Sequence, residues 1–204
     1  MGSRVKAALL ARPDYDFIIT GHSLGAGVAC LLALKCEHEK LVDSKTTVRC
    51  YAYASPPVFG PMENAPKKAV ANTVNYINND DMVSFISGWN IRQLLGCMQS
   101  VGKTVRWWNW WNYPLLVVGL KEPSPRLIDA VNKAAAKQYC HKRNVPQLFI
   151  PCSKVVWMRG GGINFKEYSS SVYDPKALPG LFLDSDMLIN HFPPYYETAF
   201  QSLT

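Results

Sequence analysis

The stretch from Asp16 to Ala29 reads Asp-Phe-Ile-Ile-Thr-Gly-His-Ser-Leu-Gly-Ala-Gly-Val-Ala. Its first part, residues 16–20, is a short apolar run typical of a buried parallel strand, and residues 26–40 are rich in Ala, Leu and Lys, which favours a helix. Between them stands the pattern Gly-x-Ser-x-Gly, in which the serine occupies a sharp turn from strand to helix. A side chain at either glycine is expected to collide with the adjoining element, so we predict that both Gly21 and Gly25 are required. The serine of this turn, Ser23, is then exposed as a nucleophile.

The rest of the chain extends this strand–helix unit into an α/β domain. Further strands are indicated at residues 46–54, 73–77, 147–150 and 154–158, and helices at 126–139 and after Pro193-Pro194. Strand, helix, strand and further strand is the order of an α/β domain with a mainly parallel sheet and flanking helices. No repeat or linker divides the sequence, so we expect residues 1–204 to form a single domain.

A serine hydroxyl needs a neighbouring base, and in hydrolases with this turn the acid and the histidine follow the serine along the chain. Asp80 and Asp81 directly follow the strand predicted at 73–77, and either carboxylate could orient the base. His191 lies near the end of the chain, where this order places the base, and His141 is the weaker alternative. The residues therefore predict a catalytic triad of Ser23, one of the two aspartates and a late histidine.

The turn itself supplies two further predictions. The backbone N–H of Leu24 begins the helix, where it is expected to donate to the oxyanion that forms when the serine attacks. His22 is expected to point away from the serine, and His38 lies in a charged helix end, so both are interpreted as structural or solvated.

Composition excludes several other classes of function. The 22 basic and 15 acidic residues give a net charge of +7, but they are scattered and accompany no nucleic-acid-binding motif, so no nucleic-acid partner is expected. The histidines and cysteines lack metal-ligand spacing, and no cofactor or metal is predicted. Neither a signal peptide nor a transmembrane helix is visible, which leaves the compartment open and favours a cytoplasmic or peripheral membrane location. We expect reduced, structural thiols at Cys30, Cys36, Cys50, Cys97, Cys140 and Cys152.

Four tryptophans are concentrated between Arg106 and Tyr113. Large apolar rings with one polar group favour a membrane interface, so the cluster predicts peripheral contact with lipid; a flap packed over the core is an equally weighted alternative. The residues of this cluster are Trp107, Trp108, Trp110 and Trp111.

The segment from Ile18 to Ala29 resembles the turn of the class 3 lipases, the family of fungal triacylglycerol lipases and eukaryotic diacylglycerol lipases. The strand and proline turn at residues 50–57, and the segment 186–196 around His191, are similar to the same family. Its acid occurs in an Asp-hydrophobic-Val run, which Asp81-Met82-Val83 matches, so the resemblance selects Asp81. It implies an α/β-hydrolase fold and hydrolysis of glycerolipid esters through an acyl-enzyme, with Ser23, Asp81 and His191 as the triad.

The chain also departs from this family, whose hydrolase domain begins well before the turn with strands, an oxyanion loop and a lid. Only 22 residues precede Ser23. We therefore expect the chain to be truncated relative to the family, without the N-terminal strands and the lid, and with a second oxyanion donor that is either absent or supplied by another part of the chain. Two alternatives to a lipase follow: a catalytically silent lipid-binding or interaction domain with the same fold, and an esterase that acts on non-lipid esters.

Overall fold

The computed structural model describes residues 3–12, 14–104, 125, 128–129, 132–133, 147–160, 167–179 and 186–204. Helix α1 (Ser3–Ala11) precedes strand β1 (Phe17–His22), helix α2 (Leu24–His38) and strand β2 (Val48–Tyr53). Helix α3 (Lys67–Ala71), strand β3 (Thr73–Asn78) and helix α4 (Gly88–Thr104) follow. Strands β4 (Lys154–Gly160) and β5 (Tyr168–Tyr173) and helix α5 (Pro193–Leu203) complete the described elements.

The strands form one sheet in the order β1-β2-β3-β4-β5, in which β1 to β4 are parallel and β5 is antiparallel to β4. Short 3-10 helices at Met62–Asn64, Met82–Phe85, Pro175–Ala177 and Ile189–His191 lie between these elements. This mainly parallel sheet with flanking helices is an α/β-hydrolase-like fold, so the predicted fold class is confirmed.

Helices cover both faces of the sheet. Because successive side chains of a strand point to opposite faces, Cys50 and Ala52 of β2 lie on one face and Tyr53 on the other. The first face packs against α2 through the small buried residues Ala26, Ala29, Cys30, Ala33 and Cys36. On the second face Tyr53 joins Tyr196 and Ala199 of α5. The small residues let α2 approach the sheet closely and hold the turn before it at the end of β1.

Several secondary-structure predictions need correction. Residues 147–150 do not form a strand: Phe149 makes only an isolated antiparallel bridge to Phe59, and Pro151, which lacks an N–H, follows directly. Helix α4 was not predicted, because the interior glycines Gly96 and Gly102 obscure its helical pattern. Strand β5 was missed as well, since its Ser169-Ser170-Ser171 run shows no apolar alternation. The helix predicted at 126–139 falls almost entirely outside the described residues.

Among the described strands, β1 forms one edge of the sheet. Beside this edge Ile18 of β1 is 57% exposed, and α2 exposes Leu24, Val28 and Leu31 on its outer side. None of the described helices is both long and apolar enough to cross a membrane. Cys30, Cys36, Cys50 and Cys152 are buried free thiols, as predicted; Cys97 and Cys140 lie outside the side chains that the structure describes.

The two glycines of the turn differ in what surrounds them. A Cβ atom on Gly21 would overlap the backbone carbonyl of Gly25, whereas a Cβ atom on Gly25 would meet nothing within 4 Å. The expectation that both glycines prevent a collision is therefore wrong for Gly25, because that position faces open space while Gly21 faces the first turn of α2. Of the two glycines in the pattern, only Gly21 is required for the close approach of β1 to the first turn of α2.

We predict that Gly21→Ala destabilises the protein while Gly25→Ala does not. The added methyl group at position 21 forces the backbone of β1 away from α2 and should cost about 3 kcal/mol, the upper part of the range for overpacking. The free energy of unfolding in urea, measured for both variants and the unmodified chain, tests this. Equal stability of the two variants would contradict it.

Candidate active site

Ser23 occupies a strained backbone conformation between β1 and α2. Its φ of 60° and ψ of −132° lie outside the regions that residues with a side chain ordinarily adopt. The turn is held by hydrogen bonds on both sides: Ser23 N–H donates to the carbonyl of Tyr53 at 2.9 Å, and the Ser23 carbonyl accepts from Ala26 N–H at 2.9 Å and Gly27 N–H at 3.3 Å. The surrounding structure thus maintains a conformation that projects the hydroxyl from the end of the strand.

The N-terminus of α2 begins directly after this serine. Neither Leu24 N–H nor Gly25 N–H donates to a backbone acceptor within the described parts of the chain. The first N–H groups of a helix have no partner inside it, and the helix dipole makes this end electropositive. The side chain of Leu24 is 72% exposed and points to solvent. Its N–H remains available for an anion that forms beside Ser23.

Asp81 follows β3 and is completely buried. A buried carboxylate needs several hydrogen-bond donors to offset the loss of hydration. Val83 N–H donates to Asp81 Oδ1 at 2.9 Å, and the Tyr196 hydroxyl donates to Oδ2 at 2.7 Å. The carboxylate is therefore fixed by the 3-10 helix that it caps and by α5.

His191 ends the 3-10 helix Ile189–His191, just before α5. Its Nδ1 lies 3.1 Å from each oxygen of Asp81, and its Nε2 lies 2.8 Å from Ser23 Oγ. Because a carboxylate only accepts hydrogen bonds, Nδ1 carries the proton, and Nε2 can then accept the proton of the serine. The His191 side chain is 21% exposed, so the imidazole is only partly open to solvent.

The structure thus brings Ser23, Asp81 and His191 into one hydrogen-bonded chain. Asp81 supplies both carboxylate oxygens near the imidazole, while Asp80 lies half-buried next to it in the sequence. His38 is exposed at the end of α2, and His141 lies outside the described residues. Within the described residues, no group of three or more potential metal ligands occurs.

Sequence reasoning missed three side chains around this arrangement. Tyr196 connects the acid to β3, because its hydroxyl also accepts from Asn78 N–H at 3.1 Å. The side-chain amide of Asn78 donates to the carbonyl of Asn190 at 3.1 Å and so holds the 3-10 helix that contains His191. His22, interpreted as structural or solvated, instead contacts the backbone of His191. Tyr196 and His22 carried a signal, because both lie in segments that resemble the lipases, and Asn78 carried none.

Burial affects the ionisation of two of these groups. Burial, followed by the negative charge of Asp81, raises the pKa of Tyr196 well above its ordinary value. This hydroxyl therefore stays protonated and remains a donor to the carboxylate. Burial, followed by the electrostatic effect of His191, lowers the pKa of His22. His22 is consequently neutral near neutral pH.

Residues 1–91 match the family model of the class 3 lipases. This part of the chain contains Ser23 and Asp81, and His191 follows it. The predicted resemblance to the class 3 lipase family is therefore confirmed over these residues. Among curated proteins, no match was found.

Solved fungal lipases are similar to part of the chain. A mutant form of MDLA from Penicillium cyclopium is 27% identical with a TM-score of 0.36 over 43% of this chain and 31% of that one. A fungal lipase is 30% identical with a TM-score of 0.34 over 40% and 29%. A triacylglycerol lipase, described as having a serine protease triad at its catalytic centre, is 23% identical with a TM-score of 0.35 over 41% and 32%. The chain spans less than a third of the length of each.

We predict that Tyr196→Phe destabilises the protein by about 1–3 kcal/mol, because the change leaves a buried carboxylate and a buried N–H short of a partner. Thermal or urea unfolding measures the effect. Tyr15→Phe is the matched control, since Tyr15 is 65% exposed. The hydroxyl of Tyr196 would have no supporting role if both variants unfolded like the unmodified chain.

Proposed function

We propose that this chain is a serine hydrolase that cleaves carboxylic ester bonds of glycerolipids. The observation that carries the proposal is the hydrogen bond of 2.8 Å between Ser23 Oγ and His191 Nε2, with Asp81 on the other nitrogen of the same imidazole. A hydroxyl, an imidazole and a buried carboxylate in this order are the groups that acyl transfer requires. The match of residues 1–91 to the class 3 lipases supports the same chemistry.

In the proposed reaction, Ser23 Oγ attacks the ester carbonyl while His191 Nε2 takes up the hydroxyl proton. Asp81 holds the imidazole in the required tautomer and stabilises its positive charge. The carbonyl oxygen becomes an oxyanion, toward which Leu24 N–H is proposed to donate. His191 then protonates the departing alcohol, and the acyl group remains on Ser23.

Water completes the cycle. His191 removes a proton from a water molecule, the resulting hydroxide attacks the acyl-enzyme, and the carboxylic acid leaves as Ser23 regains its proton. A second oxyanion donor would strengthen both steps, because one such donor is worth about 3 kcal/mol of transition-state stabilisation. We place the groups of this cycle in one domain, since β1, β3 and α5 all contribute to it.

The surroundings of the triad support a lipid substrate. We call the exposed apolar side chains that adjoin Ser23 and His191 in sequence the apolar rim: Leu24, Leu188, Ile189 and Phe192. Their exposed fractions range from 43% for Ile189 to 72% for Leu24. Exposed apolar side chains that adjoin the nucleophile and the base in the sequence favour acyl chains, because both lose contact with water when they meet. The four tryptophans at 107–111 lie outside the described residues, and their contact with a membrane remains a proposal from the sequence.

A serine-directed phosphonate tests the proposed nucleophile. We expect it to label Ser23 in the unmodified chain and in Ser44→Ala, an exposed control serine, but not in Ser23→Ala. Asp81→Asn should slow labelling by about 10³-fold or more, because the amide no longer selects the correct imidazole tautomer, while Asp80→Asn should have little effect. Mass spectrometry identifies the labelled residue. Absence of labelling in the folded chain would favour the silent lipid-binding domain.

A pair of substrates tests the lipid preference. Replacing Leu188 and Phe192 with Ser should reduce turnover of a dispersed long-chain glycerolipid by about 100-fold or more, because roughly 1.5–3 kcal/mol is lost for each of the two large apolar groups. Turnover of a soluble short-chain ester should change little. Val172→Ser, an exposed change on β5, is the control. A second variant replaces all four tryptophans with Ala: Trp107, Trp108, Trp110 and Trp111. If these side chains contact lipid, this variant should also lose turnover of the long-chain glycerolipid and keep turnover of the short-chain ester. Equal losses on both substrates would favour an esterase for non-lipid esters.

A further inference from the structure

His22 is the last residue of β1 and directly precedes Ser23. Its Nε2 lies 2.9 Å from the backbone carbonyl oxygen of His191. The centroids of the two imidazole rings are 4.7 Å apart, and the planes are inclined by 30°. On its other side, His22 meets the ring of Tyr196 edge-on at 5.7 Å. The half-buried side chain of His22 thus contacts both His191, whose imidazole is the proposed base, and Tyr196, which donates to Asp81.

The hydrogen bond from His22 has a fixed direction. A carbonyl oxygen only accepts, so Nε2 of His22 carries the proton and donates it. The carbonyl of His191 ends a 3-10 helix, where carbonyl groups lack partners within the helix. His22 supplies that partner from a strand 169 positions away in the sequence.

The hydrogen bond from His22 to the His191 carbonyl links the backbone of His191 to the residue next to Ser23. His191 is held at two points by adjacent residues: Ser23 Oγ bonds to its imidazole, and His22 bonds to its carbonyl oxygen. The ring contact between His22 and His191 also limits rotation of the imidazole. A shift of about 1 Å between a base and its nucleophile can reduce a reaction rate about 100-fold, so a second attachment has a direct effect on catalysis.

We propose that His22 is a positioning residue, which sets the distance between His191 Nε2 and Ser23 Oγ by donating a hydrogen bond to the His191 carbonyl. This inference rests on the proposed hydrolase function. His22 touches the base and not the reacting atoms, so its loss should lower kcat while KM changes little.

The ionisation of His22 agrees with this role. The titratable groups that face it are His191, Asp81 and Tyr196. Burial and the proximity of His191 lower the pKa of His22. A neutral His22 still donates through Nε2, and it adds no second positive charge when His191 takes up the serine proton.

Variants that separate the donor from the ring test the proposal. His22→Gln places an amide N–H at about the position of Nε2, whereas His22→Phe keeps a ring but has no donor. We expect His22→Phe to lower kcat and the rate of phosphonate labelling about 10-fold, with KM within about 2-fold, because one hydrogen bond is lost. His22→Gln should stay within about 3-fold of the unmodified chain. His38→Phe, at the exposed end of α2, is the control.

A comparison of His22→Asn with His22→Gln tests the proposal even if His22→Phe does not fold. His22→Asn retains an amide donor on a side chain too short to reach the carbonyl, so it should lose about 10-fold in kcat while His22→Gln does not. Circular dichroism confirms that both fold. Equal kcat values for folded Asn and Gln variants would overturn the proposal.

A measurement without turnover separates this proposal from the hydrolase function. The Nδ1–H resonance of His191, observed by ¹H–¹⁵N NMR, should broaden through faster exchange with solvent in His22→Phe and stay sharp in His22→Gln, whatever its chemical shift, which the ring at position 22 also affects. If the resonance behaves so but Ser23 is not labelled, the hydrolase proposal fails and the positioning role stands. If Ser23 is labelled and all His22 variants match the unmodified chain in both measurements, the positioning role fails and the hydrolase proposal stands.

Discussion

The close approach of Gly21 to the first turn of α2 is the constraint on which the rest of the site depends. Because a Cβ atom at this position would overlap the Gly25 carbonyl, only glycine lets the chain turn directly from β1 into α2. The turn forces Ser23 into a strained conformation, and the small residues of α2 fix the helix against the sheet. The hydroxyl and the helix N-terminus are thereby presented at the same end of β1.

A second constraint comes from the burial of Asp81. A carboxylate without exposed surface must find its donors within the protein, and Val83, Tyr196 and His191 provide them. These donors come from the 3-10 helix after β3, from α5 and from the 3-10 helix Ile189–His191 that precedes α5. The hydrogen bonds to this one buried carboxylate therefore bring distant parts of the chain together around His191. The side chains of Asn78 and His22 hold the 3-10 helix of His191 through the carbonyl groups of Asn190 and His191.

Much of the central unit could be predicted from local sequence. The parallel strands β1, β2, β3 and β4 are short apolar or alternating runs bounded by turn residues, and α2 follows a glycine-containing turn, so each pattern is local. Strand β5 and helix α4 could not be predicted in this way. The serines of β5 become a strand only because β4 offers an edge, and the glycines of α4 have poor helix propensity. The collision expected for a side chain at Gly25 was also wrong, because a sequence pattern does not show which neighbours surround each of its positions.

The sequence by itself determined the strand–turn–helix unit around Ser23 and the mainly parallel fold, because these follow from local periodicity and steric limits, whereas the choice of Asp81 and His191 rested on the chain order and motifs of the family that the sequence resembles. Only the tertiary structure decided that both oxygens of Asp81 face His191, that Tyr196 satisfies the buried acid, and that His22 bonds to the base. These contacts join residues 110 to 169 positions apart. Their geometry depends on how β1, β3 and α5 pack together, and no local pattern specifies that packing.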